Sequence, residues 1–282
     1  MTVFVKQNEL KDYLKSFWDE KKSIGFVPTM GALHQGHLSL MSESLKKNSL
    51  TVVSIFVNPT QFNNPEDLKK YPRTLDSDVE KIKNLDSNII VYAPTVDDIY
   101  EGKTESTSFK YDGLEFQMEG KHRPGHFDGV GTIVKKLFEI VQPNNAYFGE
   151  KDFQQLQIVK KLVEKYKIPV KINGCKIHRE ANGLAMSSRN ERLSNEERSK
   201  ASFIFKTISE AAKLFSKKSA QEVSNWVNDQ FKKQNTFELE YFEIADEATL
   251  IECKRKNKNK KYRAFIAVFV NNIRLIDNIS LK

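Results

Sequence analysis

Residues 23–40, SIGFVPTMGALHQGHLSL, decide the fold. The opening SIGFVPT (residues 23–29) is short and apolar, the composition of a strand buried in a sheet, and over residues 30–47 the apolar positions fall at helical spacing. A strand running into a helix through a glycine-bearing turn is the first half of a βαβ unit. In an open parallel sheet the carboxyl end of such a strand is where ligands bind. Gly31 and Gly36 let a phosphate approach the backbone, and the helix N-terminus offers unpaired N–H groups. His34 and His37, three residues apart, are expected on one helical face. Two imidazoles there can donate to phosphate oxygens as charge builds during displacement at phosphorus. The competing readings are a zinc pair and two surface histidines. Zinc needs further Cys, His or carboxylate ligands, which no cluster in the sequence supplies, and surface histidines leave the glycines and the preceding strand unexplained.

Outward from this stretch the alternation continues. LTVVSIFV (residues 50–57) is β-branched, as in a strand covered on both faces, and NIIVYA (residues 88–93) reads as another. Between them a helix is expected over residues 77–85, with Ser77 and Glu80 as a capping box. After a middle stretch come a helix near residues 129–140, a strand at 146–148, a helix near 153–166 and a strand after Pro169. The order implies a parallel sheet with right-handed crossovers. Beyond about Ala181 the character changes. Ser194 opens S-N-E-E, a capping-box signature, ahead of a helix extending towards Phe215; a second helix follows near 220–231. Strands are expected at 239–244, 264–270 and 273–276, the last two joined by a tight turn at Asn271-Asn272. The fold class expected is α/β: a Rossmann-like parallel-sheet nucleotide-binding domain over residues 1–182, then a smaller α+β domain over residues 183–282 serving as a lid, with the active site between them.

The bulk composition narrows the setting. The N-terminal MTVFVKQNELKDYLKSFWDEKK carries charges throughout and does not read as a signal peptide, and no apolar run approaches the ~20 residues of a membrane span. The two cysteines, Cys175 and Cys253, lie far apart and outside any CxxC pattern, which fits a cytoplasmic location. Much of the net charge of +8 sits in one run, KRKNKNKK (residues 254–261). Lacking interleaved aromatics on which bases would stack, the run reads as a solvated hairpin loop, and no nucleic-acid or membrane partner is expected.

Five further motifs stand in order along the chain: VNPTQF from Val57, YPRTLDSD from Tyr71, GKHRPGHFDGV from Gly120, YFGEKDFQQL from Tyr147 and REANGLAMSSRN from Arg179. The H-x-G-H turn resembles that of the nucleotidyltransferase superfamily, in which Met186-Ser187-Ser188-Arg189 looks like the counterpart of a mobile phosphate-binding loop. Together with the five motifs, it makes nearly the whole chain resemble the pantothenate synthetase (pantoate–β-alanine ligase) family.

The resemblance implies that pantoate and ATP give pantoyl adenylate and pyrophosphate, after which the amine of β-alanine displaces AMP. It implies an ATP site built from Met30, Gly31, Ala32, Leu33, His34, Gln35, Gly36 and His37, from Gly149, Glu150, Lys151 and Asp152, and from His178, Met186, Ser187, Ser188 and Arg189. His37, His34 and Lys151 are the expected catalytic residues. Asn58, Gln61 and Gln155 are expected to bind pantoate and β-alanine; an amide both donates to and accepts from hydroxyls, which suits an acid bearing two. His178 departs from the family pattern, where an aliphatic residue is expected. Arg123, His122 and His126 are read as supporting the site or ordering a loop. Mg²⁺ is expected on the nucleotide phosphates with no protein ligand cage, and a homodimer is implied.

Overall fold

The structure, a computed structural model, describes residues 1–62 and 65–281. In chain order the elements are β1 (Val3–Phe4), α1 (Gln7–Asp19), β2 (Ile24–Thr29), α2 (Gln35–Leu45), β3 (Leu50–Ile55), α3 (Pro65–Lys70), α4 (Leu75–Leu85), β4 (Ile90–Tyr92), α5 (Val96–Tyr100), α6 (Met118–His122), α7 (His126–Val141), β5 (Asn145–Gly149), α8 (Phe153–Lys165) and β6 (Lys171–Cys175). Then follow α9 (Asn195–Lys200), α10 (Ser202–Phe215), α11 (Ala220–Lys232), β7 (Glu238–Asp246), β8 (Tyr262–Val270) and β9 (Ile273–Leu281). The chain divides into two units: Met1–Glu150 with Gln154–Lys176, and Lys151–Phe153 with Ile177–Lys282.

The first unit is a six-stranded sheet in the order β1-β4-β3-β2-β5-β6, its paired strands all parallel. From β2 the chain steps outward to β3 and β4, then returns to lay β5 on the other side of β2. The carboxyl ends of β2 and β5 therefore flank a topological switch point, the crevice where open α/β sheets take their ligands. Alternate residues along the strands build two layers. Val27, Val53 and Val91 stand side by side in register and pack under Leu40 and Met41 of α2 and Ile82 of α4. On the opposite face Phe26 meets Phe138 of α7, ring centroids 6.2 Å apart. Each such fully buried side chain stabilises the fold by about 1.5–3 kcal/mol.

In the second unit β7, β8 and β9 form an antiparallel sheet, and Ile204, Ile208, Val223 and Val227 from α10 and α11 share a core with Ile244, Ile266 and Val268. Val270 pairs with Ile273 across the expected two-residue turn, where Asn271 adopts φ +50°. The basic run lies exposed between β7 and β8, as a solvated connection.

Several boundaries differ from the sequence reading. Helix α2 starts at Gln35, not Met30, because Gly31 (φ +83°) and Ala32 (φ +50°) hold backbone conformations that a right-handed helix excludes. Helix α4 starts at Leu75 after Thr74, so Ser77 lies inside it and caps nothing. The Ser194–Glu197 capping box is present, but the helix it opens ends at Lys200 and α10 begins again at Ser202. The division of the chain falls after Lys176, where β6 has ended, and not at 182/183. Lys151–Phe153 and Arg179 belong with the second unit because β8 and β9 hold them; Arg179, for example, pairs with Asp277.

One buried carboxylate fixes the turn after β2. Asp78 of α4 is 0% exposed and accepts from Ala32 N (2.8 Å), Leu33 N (2.7 Å) and Thr74 Oγ1 (3.0 Å). Lys81, one turn further on, donates to Leu33 O at 2.9 Å. These bonds satisfy main-chain groups of a turn that can form no ladder or helix of its own. Asp78→Asn exchanges one acceptor oxygen for an amide that faces an N–H. Its urea unfolding is expected to show a loss of about 2–3 kcal/mol, the cost of a buried donor left unmade. An unchanged midpoint contradicts the role.

Candidate active site

The turn leads into His34, the N-cap of α2, with extended backbone (φ −137°, ψ 175°). The two histidines thus meet through a reciprocal cap, not by sharing a helical face as the spacing suggested. His34 Nδ1 accepts from Gly36 N at 3.1 Å, and His37 Nδ1 accepts from His34 N at 3.3 Å. The rings lie against each other, centroids 4.0 Å apart and planes inclined by 34°. A neutral imidazole that accepts at Nδ1 carries its proton on Nε2. Both rings are therefore oriented as Nε2–H donors beside a helix N-terminus at the switch point, an arrangement suited to an anion.

The loop after β3 supplies the second group. Gln61, 9% exposed, donates Nε2–H to Met30 Sδ at 2.7 Å and so ties this loop to the first. Asn58 is only 1% exposed, and its amide is committed: it donates to Gln61 Oε1 (3.2 Å) and Gly129 O (3.1 Å) and accepts from Tyr100 OH (2.5 Å) and Thr60 Oγ1 (3.2 Å). Burial pushes the Tyr100 phenol above its ordinary range, which keeps it a donor to Asn58. Asn58, expected among the substrate-binding residues, is thus bonded here to protein groups, Gln61 Oε1 among them.

The main chain of Gln61 is held from the other side. His126 Nδ1 lies 2.9 Å from Gln61 O and must donate, since a carbonyl only accepts; Nε2 is then an acceptor facing Arg123 Nη1 at 3.4 Å. Arg123 Nη2 also reaches Gln61 O at 3.4 Å. Helix α7 approaches this loop so closely that a Cβ on Gly129 would stand 2.3 Å from Thr60 O and 2.7 Å from Gln61 Cα. Asp78 and Gly129 were not among the expected site residues, and Arg123 and His126 were read only as supporting the site or ordering a loop. For three of them the signal was present in the H-R-P-G-H-F-D-G run.

At the end of β5, Gly149 and Glu150 are half-buried on the first unit's sheet edge. In α8, Gln154 is spent on Leu114 O, Gln117 O and Glu119 N, while its neighbour Gln155 is half-buried. In the second unit Asp152 is exposed and Lys151 Nζ stands 3.8 Å from its carboxylate. Arg179 and Ala185 pair across a short hairpin turned by Gly183 (φ +93°); the main-chain oxygen of His178 accepts from Met186 N at 3.0 Å, and His178 is exposed. Met186, Ser187, Ser188 and Arg189 follow half-buried, with Ser187 Oγ accepting from Arg189 N at 3.3 Å. Asn190 anchors this segment by donating to Ala185 O (3.1 Å) and Glu180 Oε1 (2.8 Å). Among the described residues no cluster of three or more His, Cys, Asp or Glu side chains is placed to hold a metal ion, and no helix is long and apolar enough to cross a membrane.

Comparison with known proteins matches this geometry to one family. A model of the pantoate–β-alanine ligase family matches residues 2–280. The chain is 76% identical, over the full length of both, to pantothenate synthetase of Flavobacterium psychrophilum. Its structure is similar to the crystal structure of pantothenate synthetase from Thermus thermophilus, with TM-score 0.90, 35% identity and 99% of each chain covered. It also resembles the pantoate–β-alanine ligase of Francisella tularensis complexed with βγ-ATP and β-alanine, with TM-score 0.79, 35% identity and coverage of 99% of this chain and 97% of that one. With its motifs in order on a sheet that such enzymes share end to end, the chain belongs to the pantoate–β-alanine ligase family.

Proposed function

We infer that the chain catalyses the ATP-dependent condensation of (R)-pantoate with β-alanine to give pantothenate, AMP and pyrophosphate. Membership of the family over residues 2–280 carries the overall reaction. The two imidazoles that cap α2 through Nδ1, each carrying an Nε2–H donor, are the observation that supports the proposed chemistry at phosphorus. A free carboxylate is a poor acyl donor because oxide is a poor leaving group. The proposed course is that a pantoate carboxylate oxygen attacks the α-phosphorus of ATP and pyrophosphate departs, leaving pantoyl adenylate. The amine of β-alanine then attacks the acyl carbon, the C–O bond to AMP breaks, and the nitrogen loses its proton.

Each residue's part follows from its setting. His34 and His37 donate to phosphate oxygens whose charge grows as the P–O bond breaks, and the cap holds both rings in place beforehand, so little reorganisation is needed. Lys151 adds a positive charge on the phosphates, with Gly149, Glu150, Asp152, His178 and residues 186–189 completing the ATP site. Gln61 and Gln155 hold pantoate, and Asn58, Arg123 and His126 keep Gln61 in position. Mg²⁺ is proposed to arrive with the triphosphate, whose oxygens would ligate it and whose charge it would partly neutralise. The second unit, expected from the sequence as residues 183–282, is proposed as a lid, the protein as a homodimer, and its location as cytoplasmic.

AMP release in the presence of ATP and Mg²⁺ tests the assignment: multiple turnovers are expected only with pantoate and β-alanine together, and no release with both overturns it. His37→Asn keeps an acceptor near His34 N but removes the Nε2–H donor. It is expected to lower kcat roughly a hundredfold or more with the melting temperature nearly unchanged; undiminished turnover refutes the role. Gly129→Ala forces apart α7 and the Thr60–Gln61 backbone, so KM for pantoate should rise about tenfold or more, the effect of displacing one positioning group. Equal losses toward pantoate and ATP would show general damage instead.

A further inference from the structure

Three consecutive residues, Lys151–Phe153, are held by β8 and β9 of the second unit. Asn278 Nδ2 donates to Lys151 O at 2.9 Å, and its Oδ1 accepts from Arg263 Nη1 at 2.6 Å. Arg263 in turn lies over the Phe153 ring, 4.0 Å from the centroid, while Phe265 meets the same ring at 5.9 Å. Asn278 is 2% exposed and Arg263 7% exposed, so these bonds are little weakened by water.

The residue before Asn278 does the corresponding work on the other face of β9. Successive strand residues point to opposite sides, and Asp277 shares its parity with Ile273, Leu275 and Leu281, which face the helices. Asp277 receives Arg179 in a two-pronged pair, Nη1–Oδ2 2.6 Å and Nη2–Oδ1 2.9 Å. Burial raises the Asp277 carboxyl above its ordinary range against the pull of Arg179, but two short bonds to one guanidinium are those of a carboxylate. Arg179 also donates to Gly183 O at 3.0 Å and stacks on Phe205, 3.9 Å from its centroid. It thereby fixes the hairpin that leads directly into Met186-Ser187-Ser188-Arg189. Finally, Asn278 N donates to Asp277 Oδ1 at 2.7 Å, which ties the two anchors together.

We propose that the Asp277–Asn278 pair of β9 is a positioning clamp for the adenylation step: one residue sets the main chain at Lys151, its neighbour sets the hairpin before residues 186–189, and the strand keeps the two segments in a fixed relation. The clamp rests on the reading above that these two segments bind ATP. It touches no substrate itself and acts through Lys151 and Arg179. Its influence is confined to the first half-reaction, because β-alanine attacks the acyl adenylate after pyrophosphate has gone.

Asn278→Asp retains the acceptor for Arg263 and removes the donor to Lys151 O; if it loses cooperative unfolding, Asn278→Ala takes its place. In steady-state assays of AMP formation with the full chain, kcat/KM for ATP is expected to fall about tenfold, the size of one lost hydrogen bond. In the same assays kcat/KM for β-alanine should stay unchanged. Combined with Lys151→Ala, it is expected to add nothing to the loss from Lys151→Ala alone, because the two act on one group. Equal losses toward ATP and β-alanine, additivity in the double variant, or no change toward ATP each overturn the clamp. Lys151→Ala separates the two readings: if it leaves the ATP kinetics intact, the ATP-site assignment has failed, whereas if it is severe and Asn278→Asp is silent, only the clamp has.

Discussion

The Asp78 carboxylate on the Ala32 and Leu33 amides is the interaction on which the site depends. A strand in a parallel sheet ends with its last groups pointing out of the ladder, and a helix begins with four N–H groups unpaired. Joining β2 to α2 within five residues leaves a turn that must pass through left-handed backbone at Gly31 and Ala32, and such a turn has no regular bonds of its own. An ion from the neighbouring helix supplies them. With the turn fixed, His34 falls at the cap position, His37 falls three residues in, and the two imidazoles orient each other by closing the cap. The donor geometry of the site thus descends from a bond made on its buried side.

The same division between a reactive group and an interior partner recurs. Gln61 offers an amide at the edge of the sheet, but its side chain, carbonyl and Cα are each constrained from behind, by Asn58, by His126 with Arg123, and by the bare surface of Gly129. In the second unit Lys151 and the segment after Arg179 are constrained by residues of β8 and β9. Most side chains of this second kind, among them Asn58, His126, Arg263, Asp277 and Asn278, are buried and hydrogen-bonded, and removing one leaves partners unsatisfied in a region of low dielectric. The energetic weight of the site therefore lies mostly beneath its surface.

How far the sequence exposed this follows from what each kind of signal encodes. The apolar runs of β2 and β3 and the strand-to-helix order were legible because burial on two faces demands continuous hydrophobicity, and the sheet follows from that order. His34 and His37 were visible as a motif, but not their relation: spacing alone places them on a helix, whereas the positive φ at Gly31 and Ala32 delays the helix until Gln35. Asn58 was expected at the substrate through the family resemblance, and its place after a strand fits either a ligand or an interior role. Its burial and its four bonds to protein groups could not be read from the sequence. Asp78 sits 46 residues from Ala32 in the chain, and nothing in a one-dimensional pattern joins them. Asp277 and Arg179, 98 residues apart, were hidden for the same reason.

The contact at Gly129 has an evolutionary corollary. The wall behind Gln61 there is main chain against main chain, with no side chain whose size could be trimmed or extended. Under the proposal that Gln61 holds the acid, acceptance of a longer or shorter one is not reached by the small volume changes through which most pockets drift. A descendant with a different acid substrate would have to change the functional group presented at position 61 while leaving its backbone where it is. On that reading, selectivity on this side of the site is set by chemical identity, and it moves in steps.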